Sequence, residues 1–318
     1  MPDTEMGEDG VCLGEQIEYF EQCRNDMKAS KEKLLSDLAA LVSNAKSCLG
    51  KGEPNVIVSA ENLSCRNDFS SLFSGLSESC DIKIIIYIRR QDEYLLSFWQ
   101  QWYLKVNDDF WAWVISSLKW IGDWSFTINP WVEVVGQENM ILRRFSKRHF
   151  LNHDLIDDFS EILGIDSAEM FREHANPSFN DAVCELAFSV RDVFDGMHDN
   201  EFYQMIHDWV GSAAYKNKPS GLMNYAQRQA ILNYYMDSNE NIKKMFFDDE
   251  DEQLFEPLGD REKDLDTSGD LEGRIAMLTM LLYGRYSDNK KKVKVETEEL
   301  GAIKNMLRML YRDYKNGA

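Results

Sequence analysis

The sequence predicts an α/β fold built on parallel strands, with a largely helical C-terminal half. Three observations carry that expectation. Short β-branched apolar runs occur at 55–60, 82–88 and 139–145. Apolar residues at helical spacing fill the intervals between them. From about residue 178 only the helical period continues. Strands that alternate with helices build parallel sheets, because a parallel pair needs a long crossover.

Residues 13–49 read as helix, with Leu34, Leu35, Leu38, Leu41 and Val42 on one face. Gly50, Gly52 and Pro54 end it. The run Asn55 to Ala60 suits a buried strand, and 66–79 a short helix with polar edges. Asp81 to Ile88 is the strongest strand, apolar enough to be covered on both faces. A helix follows from about Asp92, carrying Tyr94, Phe98, Trp99 and Trp102. Pro130 and Trp131 open another helix that stops near Gly136. Asn139 to Phe145 is the third strand. The amphipathic stretch 151–163 buries Leu155, Ile156, Phe159, Ile162 and Leu163 and is capped by Gly164. Segment 248–266 holds ten acids against Arg261 and Lys263, a net charge of −8 that predicts a solvated linker. The tail, 270–318, reads as two helices. A boundary after 256 therefore separates an α/β domain, 1–256, from an extension, 257–318.

Composition narrows the function. The 318 residues are 44% hydrophobic, enough for a core, and the formal charge is −20. That balance argues against a general nucleic-acid binder, which needs surplus Lys and Arg. The six Cys, at 12, 23, 48, 65, 80 and 184, show no CxxC spacing, and MPDTEMGEDG has no apolar signal core. Reduced thiols in a cytoplasmic protein without a membrane span are the expectation. His149, His153, His174, His198 and His207 have no metal-ligand spacing, so no metal is expected. Seven Trp between 99 and 131 suit helix packing or sugar stacking.

Chemistry concentrates in Ile84 to Ser97. Two arginines, Arg89 and Arg90, end a central strand, and Ser97 follows eight residues after Arg89. Ligands of open α/β sheets bind beyond the carboxyl ends of strands, and an Arg fork with a hydroxyl suits a phosphate. An Arg paired to a neighbouring carboxylate, with Ser97 facing solvent, is the plain alternative. Glu61, just past the run at 55–60, can take a proton from a sugar hydroxyl, cap the helix after it, or pair with Arg89. Arg143, Arg144, Lys147 and Arg148 can receive an anionic glycan or form a solvated strand end.

The string Tyr87-x-Arg89-Arg90-Gln91-Asp92, with Ser97 and Gln101, resembles the sulfotransferases that use 3′-phosphoadenosine 5′-phosphosulfate. It is closest in pattern to a bacterial branch associated with surface polysaccharides. Weaker likenesses come after it in the same order: Trp131 to Asn139, Arg143 to Phe145, Asn176 to Asn180, and Arg228 with Asn241. The resemblance spans roughly 55–256. It implies a P-loop-like parallel sheet, and sulfuryl transfer from that donor to a saccharide hydroxyl without a metal. It assigns Arg89 and Ser97 to the donor's 3′-phosphate and Glu61 to base catalysis. Gln101, Arg143 and Arg144 fall to the acceptor side. The family's first strand and Gly-Thr-Lys-Thr/Ser loop, which hold the 5′-phosphosulfate, have no counterpart here. The N-terminal unit is thus expected to be incomplete and transfer by the chain as given to be poor. A non-catalytic nucleotide- or glycan-binding scaffold is the alternative. A glycosyltransferase ranks third, because no Asp-x-Asp follows a strand.

Overall fold

A computed structural model describes residues 27–49, 56–65, 67–76, 80–118, 120–172, 178–215, 221–248 and 251–259. The expectations for 13–26, for the tail at 270–318 and for residues 249, 250 and 260–266 of the acidic linker fall outside them. The fold is mixed, with mostly helices and a small parallel sheet. The described residues fall into two compact units: one draws on those within 27–95, 114–172 and 230–257, the other on those within 96–113, 178–229 and 258–259.

In the first unit, β1 (Ile84–Ile88) pairs in parallel with β2 (Met140–Arg144), Ile84 opposite Met140 and Ile88 opposite Arg144. Period-2 alternation divides their side chains between two faces. Ile86, Ile88, Met140 and Leu142 enter a core with Phe69, Leu72 and Phe73 of the 3-10 turn Asn67–Phe73. Leu34 of helix α1 (Met27–Leu49) is fully buried there. On the other face Tyr87 packs edge-on against Phe150, ring centroids 6.0 Å apart. Its hydroxyl donates to Asp158 at 2.6 Å.

Residues 56–60 lie outside the sheet. Val58 and Ala60 pack against the core while Ile57 and Ser59 are exposed. The buried strand expected there does not form: burial alternates along 56–60 between core and solvent, but alternation specifies faces and not a pairing partner. The short helix α2 (Asn62–Cys65) comes directly after.

Helix α3 (Gln91–Gln101) leaves β1 after two residues, and α4 (Phe110–Ser117) comes next. Helix α5 begins earlier than Pro130 predicts, at Trp124, and runs to Val135. Asp123 caps it by accepting from the Ser125 amide at 3.2 Å. Trp124, Ile128, Trp131 and Val135 form its buried stripe. Burial of that stripe offsets the hydrogen bond that Pro130 removes from the helix interior. Helix α6 (Leu155–Leu163) begins later than the expected residue 151, at an Asp154 cap after the 3-10 turn Leu151–His153, and is closed by Gly164 in the left-handed region, as its sequence predicts.

The second unit is helical: α7 (Asp181–Ser189), α8 (Glu201–Val210) and the start of α9 (Tyr225–Tyr234). Phe98, Trp99, Tyr103, Phe110 and Trp113 pack together there, which gives this part of the Trp-rich stretch a structural use.

Helix α10 (Met236–Phe246) returns to the first unit and is tied there by polar contacts. The Asn239 and Gln91 amides bond reciprocally, at 2.6 and 3.1 Å, and Gln91 is completely buried. Ser238 bonds Asp123 at 2.8 Å and Ser125 at 2.7 Å. Gly122, at φ +88°, leaves room for Gln91, whose Cγ would lie 3.3 Å from an added Cβ. A buried amide that loses its partner costs more than a pair replaced together. Asn239→Leu is expected to destabilise the protein by about 1–3 kcal/mol in urea unfolding. The double variant Gln91→Leu/Asn239→Leu is expected to recover part of that loss. A double variant worse than the sum of the singles contradicts the pairing.

Candidate functional site

The parallel register brings the carboxyl ends of β1 and β2 to the same edge. Arg89 and Arg90 come after β1, while Arg144 ends β2 and Arg148 and His149 lie in the turns after it. Each of these side chains meets a carboxylate.

Arg89 is held by Glu93, one helical turn on, at 3.2 Å. Its guanidinium lies 5.8 Å from the Phe145 ring centroid, and its carbonyl accepts from the Trp124 indole at 2.9 Å. Arg90 forms a two-pronged pair with fully buried Asp92, at 2.7 and 3.2 Å. Its other nitrogen reaches the Glu256 carbonyl at 3.5 Å. Arg144 is buried at the end of β2, with the Phe247 ring 4.4 Å from its guanidinium carbon. It donates to Asp251 at 3.1 Å. Arg148 and His149 reach the same carboxylate at 2.8 and 3.0 Å. Arg143 projects to the opposite face, 3.7 Å from Asp158 and 4.0 Å from Glu161. Burial and the Asp158 hydrogen bond push the Tyr87 hydroxyl above its ordinary pKa there.

The sequence-derived residues are only partly gathered. Arg89 and Arg144 leave the sheet at one edge. Glu61 is exposed on the turn into α2, and its carbonyl accepts from the Ser64 amide and hydroxyl at 3.1 and 2.7 Å. Arg89 pairs with Glu93 rather than with Glu61. Ser97 is half-buried and Gln101 exposed on α3, in the part of that helix belonging to the second unit. Of the late motif, Asn239 rather than Asn241 makes the amide pair with α3. Asp251 and Glu256, which the sequence assigns to a solvated run, are the residues that pattern reading misses. The local charge count is the available signal, because a −8 run in the same chain as a basic strand end invites pairing.

The second unit holds a different unforeseen group. Lys105 is buried to 2% exposure, its ammonium donating to the Met197 carbonyl at 2.9 Å and Asn200 at 2.8 Å. The rings of Trp102 and Tyr203 lie 5.7 and 5.2 Å away. Burial pushes its pKa down to about 8, with Asp199 opposing. Among the described residues no group of three His, Cys, Asp or Glu is placed to hold a metal. Among those residues no helix is long and apolar enough to cross a membrane.

Comparison with protein-family models, with characterised proteins and with solved structures finds no match to this chain.

Lys105 makes a pH prediction. Its folded pKa lies below the free value, so between about pH 8 and about 10 the unfolded chain binds a proton that the folded chain does not. Stability is therefore expected to rise with pH across that window, by about 1–3 kcal/mol. Above it the trend reverses, because burial holds the Tyr203, Tyr235 and Tyr87 hydroxyls above their usual range while the unfolded phenols ionise. Urea midpoints measured against pH should show the rise in the wild type and not in Lys105→Met. A rise that survives in Lys105→Met assigns it to other groups.

Proposed function

We propose that this chain is a sulfotransferase-like protein that binds 3′-phosphoadenosine nucleotides at the carboxyl edge of its parallel strands. What supports the reading is the place of Arg89: it comes directly after β1, two residues before a helix begins, at the end of the strand where open α/β sheets take ligands. The sequence resemblance assigns Ser97 to the same 3′-phosphate. Glu93, now on Arg89, is partly exposed and one helical turn away, so a phosphate can replace it without opening the core.

In the reaction that the resemblance implies, a saccharide hydroxyl oxygen attacks the donor's sulfur. The bond from sulfur to the 5′-phosphate oxygen breaks, and its electron pair leaves on adenosine 3′,5′-bisphosphate. The hydroxyl proton passes to the carboxylate of Glu61, which is exposed on a turn. Gln101, Arg143 and Arg144 are the acceptor-side residues of this reading. A second reading, a nucleotide- or glycan-binding scaffold without catalysis, draws support from the carboxylates paired with Arg89, Arg90 and Arg144.

Calorimetry with adenosine 3′,5′-bisphosphate is expected to give measurable binding. Arg89→Ala should weaken it about ten- to a hundredfold, the effect of one charge-assisted phosphate contact. Absence of binding at about millimolar nucleotide, the weak end of specific affinities, overturns the proposal. Binding that ignores Arg89→Ala overturns the residue assignment. Radiolabelled sulfate transfer to glycans that is lost in Glu61→Gln favours the enzyme, and nucleotide binding without transfer favours the scaffold.

A further inference from the structure

We propose that Arg144, Arg148 and His149 form a site for a tetrahedral oxyanion, phosphate or sulfate, and that the chain's own segment 251–256 occupies it as an internal competitor. The inference uses none of the residues assigned to the nucleotide's 3′-phosphate, so it stands apart from that assignment.

One carboxylate oxygen of Asp251 accepts from Arg144 at 3.1 Å and His149 at 3.0 Å, and the other accepts from Arg148 at 2.8 Å. Three donors from a strand end and the turns after it thus converge on a single anion. Such convergence of Arg forks is the way proteins recognise phosphate and sulfate. Glu256 extends the arrangement, 3.4 Å from the Ser146 hydroxyl and 3.9 Å from Arg148. Its backbone carbonyl takes the Arg90 hydrogen bond. The segment therefore bridges the carboxyl ends of both strands.

The occupant is held differently from its site. Arg144 is fixed in the sheet and nearly inaccessible. Residues 251–259 have neither helix nor strand. Leu254, in the core, anchors the segment between Asp251 and Glu256. Bending about that anchor can withdraw Asp251 without removing Leu254. Asp251 and an incoming oxyanion compete for the same donor atoms of Arg144, Arg148 and His149, so withdrawal of Asp251 hands those donors to the oxyanion. A doubly charged oxyanion offers more acceptor atoms than the carboxylate it replaces. Segment and oxyanion are thereby mutually exclusive, and binding of one releases the other.

The test titrates sodium sulfate, inorganic phosphate and adenosine 3′,5′-bisphosphate into the full chain, with sodium chloride at matched ionic strength as the control. Asp251→Asn/Glu256→Gln removes the competing charge and keeps the Leu254 anchor. Sulfate and phosphate are expected to bind this variant about ten- to a hundredfold more tightly than the wild type. Adding Arg148→Ala should abolish the gain. Their rank against the nucleotide tells a free-oxyanion site from a nucleotide-phosphate site, and tightening of any of the three supports the competition. A folded double variant that binds none of them more tightly than the wild type overturns it. If the double variant is unfolded in chloride, refolding in sulfate or phosphate that is lost on adding Arg148→Ala supports the site, and refolding that survives Arg148→Ala is the general stabilisation by these salts and overturns it. Failure to refold in either overturns it.

Discussion

Parallel pairing of two five-residue strands is the constraint on which the rest of the first unit depends. A parallel ladder sends both carboxyl ends to one edge, and in this sequence both ends are basic. Arg89 and Arg90 leave β1 where Arg144 leaves β2, with the Phe145 amide bonded to the Ile88 carbonyl at 2.7 Å. Like charges brought together at the rim of a low-dielectric core repel strongly unless anions are supplied. Here the chain supplies them. Asp92 and Glu93 come from the helix after β1, and Asp251 and Glu256 come from more than a hundred residues away. Part of the net charge of −20 is therefore committed to holding the sheet edge, and is not spread over a solvated surface.

The same pairing dictates how the faces are covered. Ile86, Ile88, Met140 and Leu142 enter the core beside Trp124, Ile128 and Trp131 of α5. Odd-numbered Tyr87 and Arg143 meet Asp158 of α6. Helix α10 completes the first face by bonding Gln91, Asp123 and Ser125 through Asn239 and Ser238. Residues that read as a functional string, Arg90-Gln91-Asp92, are thus committed to structure: Gln91 to Asn239, and Asp92 to Arg90. Arg89 pairs with Glu93, a half-buried residue in the first turn of α3 that also reaches Arg90 at 3.3 Å.

How much of this is legible in the sequence depends on the range of the interactions involved. Local rules are sufficient for β1 and β2, for the end of α6 at Gly164, and for an Arg at a strand end. Each depends on residues within a few positions. Segment 56–60 keeps its alternating burial and does not join the sheet, because joining requires a partner that alternation does not specify. Pro130 points to a helix start, yet the Asp123 cap and the Trp124-to-Val135 stripe outweigh it. The docking of Asp251 on Arg144 is not readable, because charge counting shows that a segment is acidic without showing where it goes. Lys105 is equally hidden: burying a lysine requires Met197, Asn200 and several rings at once, and none is within the reach of a local pattern.

The central claim, that β1 and β2 run parallel and so place their arginines at one edge, is open to a direct measurement. NMR of isotope-labelled protein reports strand direction through short proton contacts between 84–88 and 140–145. The structure predicts amide-to-Hα contacts in the register that places Ile86 opposite Leu142, together with a slowly exchanging Phe145 amide bonded to Ile88. Close Hα-to-Hα contacts across the pair, the mark of an antiparallel ladder, would send Arg144 to the end of the sheet away from Arg89 and contradict the account.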